Sequence, residues 1–288
     1  MGQRVILDCD NTMGQPYQEV DDGLTLLYLL GRPDIDLLGI TATFGHGPVD
    51  RTYPLTQRLL EEIAREDIPL SKGVGERGQP PTEAARFLVD SAAAHPGDIT
   101  LLAIGTLGNL RAALELDRGF FRNLKQVLIM GGYVHPLRIG WRNVGEINLS
   151  GDPEASLAVL NSECPITLMN AHVCLQAAFT WLDLPRIGHW GPRTRRLVRQ
   201  WLVGHGISCG VPRFYLWDLL PAVYIEFPEL FDENPVWIRS TVQDLETGSI
   251  ILAQEKGEGA RINMPSKIVD PDRFKEILFE AWSRVSIG

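Results

Sequence analysis

Residues 4–10 read RVILDCD, residues 22–32 read DGLTLLYLLGR and residues 36–45 read DLLGITATFG. A short apolar run, an amphipathic segment and a second apolar run closing on glycine make up a β-α-β unit with parallel strands. The rhythm continues through a helical stretch from Tyr53 to Arg65, then ITLLAIG (99–105), LGNLRAALELD (107–117), LKQVLIMGG (124–132), DPEASLAVLNS (152–162) and PITLMNA (165–171). This predicts an α/β, Rossmann-like fold with a mostly parallel central sheet flanked by helices. No linker-like Pro/Gly/Ser tract interrupts the pattern, so residues 1–288 are expected to form one domain. The stretch from Trp181 to Arg213, with Trp190 and Trp201 inside it, breaks the rhythm and is expected to be a helical insertion over the sheet edge.

Composition narrows the class. Hydrophobic residues at 44% and charged residues at 22% supply a substantial core, which excludes a disordered chain. The net charge of −9 argues against a nucleic-acid partner. Arg193, Arg195, Arg196 and Arg199, the one basic cluster, read as a solvated helix face. Cys9, Cys164, Cys174 and Cys209 lack metal-knuckle or disulfide-framework spacing, so reduced thiols and a cytoplasmic protein are expected. No apolar run approaches the roughly 20 residues that span a bilayer, so no membrane partner is expected.

In open parallel sheets functional groups gather at the C-terminal ends of strands. That rule singles out Asp8 and Asp10, the segment Phe44–Gly47, the segment Gly105–Asn109, and Met130–Tyr133. Asp8, Asp10, Asp21 and Asp22 crowd four carboxylates around one strand end, a density of like charge that a hard divalent cation neutralises. A cluster without His or Cys favours Ca²⁺ or Mg²⁺ over zinc. Asp21 and Asp22 also suit the N-terminus of the helix that follows.

Two families share such a strand. The text VILDCDNT fits the haloacid-dehalogenase pattern, DxDxT after an apolar strand, with Asp8, Asp10 and Thr12 as its members. The lysines at 72, 125, 256, 267 and 275 give no convincing context for the remainder of that pattern. A Mg²⁺-dependent phosphatase is therefore the alternative, and a non-catalytic riboside-binding protein is a third reading.

Taken over nearly its whole length, the chain resembles the nucleoside hydrolase family of the inosine-uridine type. The family's DxDxxxDD opening corresponds to DCD, an inserted NTMGQPYQEV, and DDG. Its GPLTN corresponds to GTLGN at 105–109, its MGG to residues 130–132, its EFN…DPEAA to EINLSGDPEAS from Glu146, and its HD to Trp217-Asp218. The resemblance implies hydrolysis of the N-glycosidic bond of a small-molecule ribonucleoside, with Ca²⁺ as cofactor. Its ligands would be Asp10, Asp22, Asp218 and the backbone carbonyl of Gly108, where the family has threonine. Asp10 would also be the general base, with Asp8 behind it holding Asp10 or its loop. Asp21, Glu146 and Asn148 would hold the ribose hydroxyls, and Asn143 is a further sugar contact at a spacing unlike the family's commonest form. Family members are commonly homodimers or homotetramers, and self-association is expected here.

Departures bear on the substrate. Trp217 stands where many members have histidine. Indole cannot act as an acid but stacks on a base, and in the family it accompanies purine preference. His46 follows Gly45 where asparagine is usual; sugar contact, proton donation and loop capping are all open to it. Tyr17 and Glu19, in the inserted stretch, are placed to reach the pocket mouth. His172 ends a strand and is the other histidine expected near the site; His95, His135, His189 and His205 are expected to pack or face solvent.

Overall fold

The computed structural model describes residues 2–288. Its strands are β1 (Gln3–Cys9), β2 (Ile35–Ala42), β3 (Leu70–Lys72), β4 (Ile99–Ala103), β5 (Leu124–Met130), β6 (Leu137–Ile139), β7 (Arg142–Val144), β8 (Ile166–Met169), β9 (Ala178–Thr180), β10 (Arg213–Tyr215), β11 (Pro235–Ile238) and β12 (Ala260–Asn263). Eight of them form one sheet in the order β11-β12-β8-β5-β4-β1-β2-β3, parallel except where β11 runs against β12. The mostly parallel sheet read from the sequence is therefore the one that forms.

Alternation along the central strands explains why their sequences are almost uniformly apolar. On β1, Val5, Leu7 and Cys9 enter the core on one face while Ile6 enters the core on the other. On β4, Leu102 joins the first core, and Leu101 and Ala103 the second. Strands covered by helices on both faces lose water on both, so every position is apolar until the chain leaves the sheet. Asp8 and Asp10 mark that exit.

Strand order then fixes where a ligand can enter. The chain winds outward from β1 to β3, then restarts on the other side of β1 with β4 and winds the other way. Loops leaving β1 and β4 diverge at this switch point and open a crevice at the C-terminal strand ends. A Cβ on Gly105, just beyond β4, would stand 2.9 Å from Asp10 Oδ1 and 3.1 Å from the Asp10 amide nitrogen. Glycine there lets the β4 exit close on the β1 exit.

The insertion between Trp181 and Arg213 is helical as expected, in a particular form. β9 and β10 pair antiparallel as its stem, and a 3₁₀ turn (Leu184–Ile187) and the helix Pro192–Cys209 lie between them. Proline starts that helix, and Gly210, with φ +74°, ends it in the left-handed region. Arg195, Arg196 and Arg199 are exposed and Arg193 pairs with Glu62, so the basic cluster is a solvated face. The last two turns of the helix wall a cavity, and the hairpin β6–β7 docks on their end. Trp141 at the hairpin tip donates from its backbone amide to the Cys209 carbonyl (3.3 Å) and from its indole to the Ser208 carbonyl (2.9 Å). All four cysteines are unpaired and buried, and among the described residues no helix is long and apolar enough to cross a membrane.

Candidate active site

Four aspartates converge at the switch point. Asp10 follows β1. Asp21 and Asp22 open the helix Asp21–Leu30, and Asp218 precedes the helix Leu219–Tyr224. Oxygens of Asp21, Asp22 and Asp218 lie within 4.8 Å of one another, and Asp10, Asp22 and a ring nitrogen of His46 form a second such group. The Asp10 amide donates to Asp22 Oδ1 at 3.1 Å. All four side chains are buried, yet Asp10 Oδ1 and both Asp21 oxygens have no hydrogen-bond partner among the described residues. Burial, and then the neighbouring carboxylates, push Asp21, Asp22 and Asp218 well above the ordinary carboxylate range. Buried carboxylates at this spacing, three of their oxygens without a partner, fit a hard divalent cation.

Asp8 stands apart from this group. Its Oδ1 accepts from Thr41 Oγ1 (2.5 Å) and Asn109 Nδ2 (2.7 Å), and it is not among the residues that line the cavity beside the aspartates. Burial pushes its carboxyl up to about 7, against the pull of those two donors. A carboxyl whose pKa is raised on folding binds its proton more tightly in the native state, so stability falls as pH climbs from its ordinary value toward 7. Asp8→Asn keeps the acceptor and removes that charge. In chelator, it is expected to stabilise the protein by about 1–3 kcal/mol at pH 8 and by little at pH 5. Urea unfolding at the two pH values measures this; equal effects at both would show that the Asp8 charge carries no penalty.

His46 joins Asp10 to the inserted stretch. Its backbone amide and Nδ1 lie 2.5 and 3.0 Å from Asp10 Oδ2, and Nε2 is ion-paired with the Glu19 carboxylate. Burial disfavours the imidazolium, but Glu19 and Asp10 outweigh it and hold the pKa well above the usual histidine range.

Asp21, Asp218, His46 and Glu19 line one end of a cavity of about 330 Å³. Glu146 and Asn148 form an adjoining wall. The Glu146 carboxylate accepts from the amides of Gly132 (3.1 Å), Leu149 (2.8 Å) and Ser150 (2.7 Å), which fixes it at the start of the short helix Asn148–Gly151. Asn148 Nδ2 donates to the carbonyls of Ile104 (2.9 Å) and Met130 (3.0 Å), leaving Oδ1 buried and without a partner. Trp217 lines the cavity beside Asp218, its ring 5.4 Å from that of Tyr215.

The family model for inosine-uridine preferring nucleoside hydrolases matches residues 5–276. The chain belongs to this family. It is similar to a uridine nucleosidase of Arabidopsis thaliana, 26% identical over 88% of this chain and 82% of that one. A pyrimidine-specific ribonucleoside hydrolase of Escherichia coli is 27% identical over 62% of each chain. Among solved structures, a plant nucleoside hydrolase superposes with a TM-score of 0.85 at 22% identity, covering 98% of this chain and 99% of that chain. A purine-preferring ribonucleoside hydrolase of Gardnerella vaginalis gives a TM-score of 0.85 at 19% identity, covering 97% and 98%. The two solved structures carry the fold; membership makes this chain an N-ribosyl hydrolase of a metal-dependent family.

Of the residues read from the sequence of this nucleoside hydrolase, Asp21, His46, Glu146, Asn148, Trp217 and Asp218 line the cavity, and Asp10 and Asp22 stand directly behind them. Glu19 also reaches the cavity; Tyr17 does not, and packs beside Gly204 with its φ at +62°. Asn143 is exposed on β7 and is not a lining residue. Its neighbours Arg142 and Val144 are, because side chains alternate along a strand. Gly108 is the first residue of the helix Gly108–Leu116, and a Cβ there would meet Val74 and Asp152 rather than the aspartates. Gly105 is the residue of that segment packed on Asp10. His172 does not line the cavity; its Nε2 sits on the His135 backbone. His205, expected to pack or face solvent, lines the cavity together with Trp201 and Ser208. Their spacing, i, i+4 and i+7 on one helix, is the signal in the sequence that could have placed them on a common face, and it went unread.

Proposed function

We propose that this hydrolase cleaves purine ribonucleosides in preference to pyrimidine ones, releasing ribose and the free base, and that it depends on calcium. The observation that carries this reading is the set of buried, unpartnered aspartate oxygens at the end of a cavity of nucleoside size. Asp10, Asp22 and Asp218 are the side chains that would hold the cation, with a backbone carbonyl such as that of Gly108 as a further oxygen. When bound, the cation lowers the pKa of the attacking water and orients it.

The chain's own residues do the rest. Asp10 is the general base: Oδ2 is held by His46, and the unpartnered Oδ1 accepts the proton as the water oxygen attacks the anomeric carbon. As the bond to the base lengthens, positive charge builds on the ribose ring, and the surrounding carboxylates stabilise it. Asp21 and Asn148 Oδ1 are open acceptors for ribose hydroxyls, and Glu146, locked by three amides, offers its remaining lone pairs to the same sugar. Asp8 holds the β1 end from behind through Thr41 and Asn109. A phosphatase would need Asp8 facing the substrate, whereas its Oδ1 is bound within the fold by Thr41 and Asn109 and the side chain is fully buried. Trp217 presents an indole face beside Asp218, which favours the larger purine ring by stacking. Self-association as a homodimer or homotetramer is part of the proposal, supported by the exposed pair Trp181 and Leu182.

A ribose-release assay on a panel of ribonucleosides tests the reading. With calcium present, purine ribosides are expected to turn over about tenfold faster than pyrimidine ones, a difference typical of one extra stacked ring. Phosphate release from a phosphoester under Mg²⁺, with no ribose from any nucleoside, would sink it.

A further inference from the structure

Residues 11–20, which separate Asp10 from Asp21, are longer than the spacer in the family's DxDxxxDD opening, and the hydrolytic step described above makes no use of them. The stretch is nonetheless firmly built. Asn11 Oδ1 accepts from the Met13 amide (2.9 Å), Asn11 Nδ2 donates to Thr56 on the helix Val49–Glu62 (3.4 Å), and Met13 is buried against Gly23. Thr12 Oγ1 donates to the Glu19 carbonyl at 3.1 Å, which draws the two ends of the stretch together. Val20, the next residue, is buried in the core. Glu19 is thus placed by its backbone on both sides, and its carboxylate meets His46 Nε2.

That contact completes a line ending on Asp10. A carboxylate turns easily about its Cβ–Cγ bond, because the torsion is broad and two-fold. The His46 amide, 2.5 Å from Asp10 Oδ2, fixes one donor, and ring Nδ1 at 3.0 Å supplies the second. Gly45 permits this approach, since a Cβ there would overlap Oδ2. With both donors on Oδ2, Oδ1 is the oxygen left without a partner among the described residues. The imidazole turns about its own Cβ–Cγ bond with similar freedom, so one contact at Nδ1 does not fix its plane. Glu19 is the partner at its other nitrogen.

We propose that Glu19 is a positioning residue for hydrolysis: it fixes the His46 ring, the ring fixes Asp10 Oδ2, and Oδ1 is thereby kept aimed at the attacking water. The inserted stretch then serves catalysis from behind the general base. The proposal rests on the reading of Asp10 as that base. Glu19 also lines the cavity, so direct contact with the nucleoside is the competing role. The two roles predict different kinetics.

Glu19→Ala is expected to lower kcat for ribose release about 10–100-fold, the cost of loosening a catalytic group through its supporting contact, with KM changing by less than about threefold. Glu19→Gln keeps an oxygen for Nε2 and should recover most of that loss. His46→Asn keeps the amide contact to Asp10 and removes the ring. In that background Glu19→Ala should cost less than about twofold more, because the link it acts through is gone. Glu19→Ser, too short to reach the ring, takes the place of Glu19→Ala should that variant fail to fold. Calorimetry of the same proteins separates positioning from folding, and Tm is expected to move by less than about 4 °C. A raised KM with kcat kept would give Glu19 to the substrate, and equal losses in both backgrounds would detach it from His46. A loss that glutamine does not recover, or one that follows a collapse in Tm, would equally overturn the positioning role. Each of these results leaves the hydrolase standing, whereas no ribose from any nucleoside with the wild type would remove both.

Discussion

Asp10→Asn is expected to lower kcat for ribose release by about 10²–10⁴-fold, the range that loss of a general base produces. Asparagine keeps the shape of the side chain and can still accept from the His46 amide, so the β1 exit and the cavity should persist. What disappears is the basic Oδ1, the oxygen left without a partner while its twin is held by His46. Loss concentrated in kcat, with KM for the nucleoside changed much less, is the pattern of a group that acts in the transition state. A variant retaining more than a tenth of wild-type kcat would move the base to another residue.

Chelation should be as severe. Removing the divalent cation is expected to abolish ribose release, and adding back calcium to restore it. The metal-free protein also carries a pH signature. Asp21, Asp22 and Asp218 bind protons more tightly in the fold than in the unfolded chain, because burial and mutual repulsion raise their pKa. Stability of the metal-free form should therefore fall as pH rises through the carboxylate range toward neutrality. Calcium competes with those protons, so its stabilising effect should be larger at pH 8 than at pH 5. At a concentration one hundred times its dissociation constant, a ligand adds about 2.7 kcal/mol, which for a chain of this size raises Tm by about 5–10 °C. Scanning calorimetry with chelator and with calcium measures this directly. An unchanged Tm and rate would leave the aspartate nest without a cation.

The parts of the site that could be read from the sequence are those that covalent order dictates. A doubly covered strand must be apolar until it leaves the sheet, so RVIL ending in Asp8 and Asp10 announces both a central strand and its functional end. The helix that begins at Asp21-Asp22 is equally visible, and so is the Trp217-Asp218 pair. What escaped was phase and docking. On β7, three residues long, nothing in the sequence says whether Asn143 or its neighbours face inward. In GTLGN the motif points to the Gly108 carbonyl and says nothing of Gly105, which the register of β4 against β1 brings against Asp10. His205 gained its position from the docking of a whole helix through Trp141, a contact between segments far apart in sequence. His46 was open among sugar contact, acid and cap, and its ring became a link between Asp10 and Glu19 because the inserted stretch folds back over β2.

The aspartates also impose a timetable. Asp10, Asp21 and Asp22 leave the ribosome well ahead of Asp218, which follows only after six of the eight strands of the main sheet have been synthesised. Until the helix Leu219–Tyr224 settles against the helix Asp21–Leu30, the nest lacks one of its carboxylates. A nascent chain can thus fold much of its sheet while still unable to grip a cation tightly, and metal capture waits on the arrival of the helix that Asp218 precedes, a chemical signal that most of the sheet is already in place.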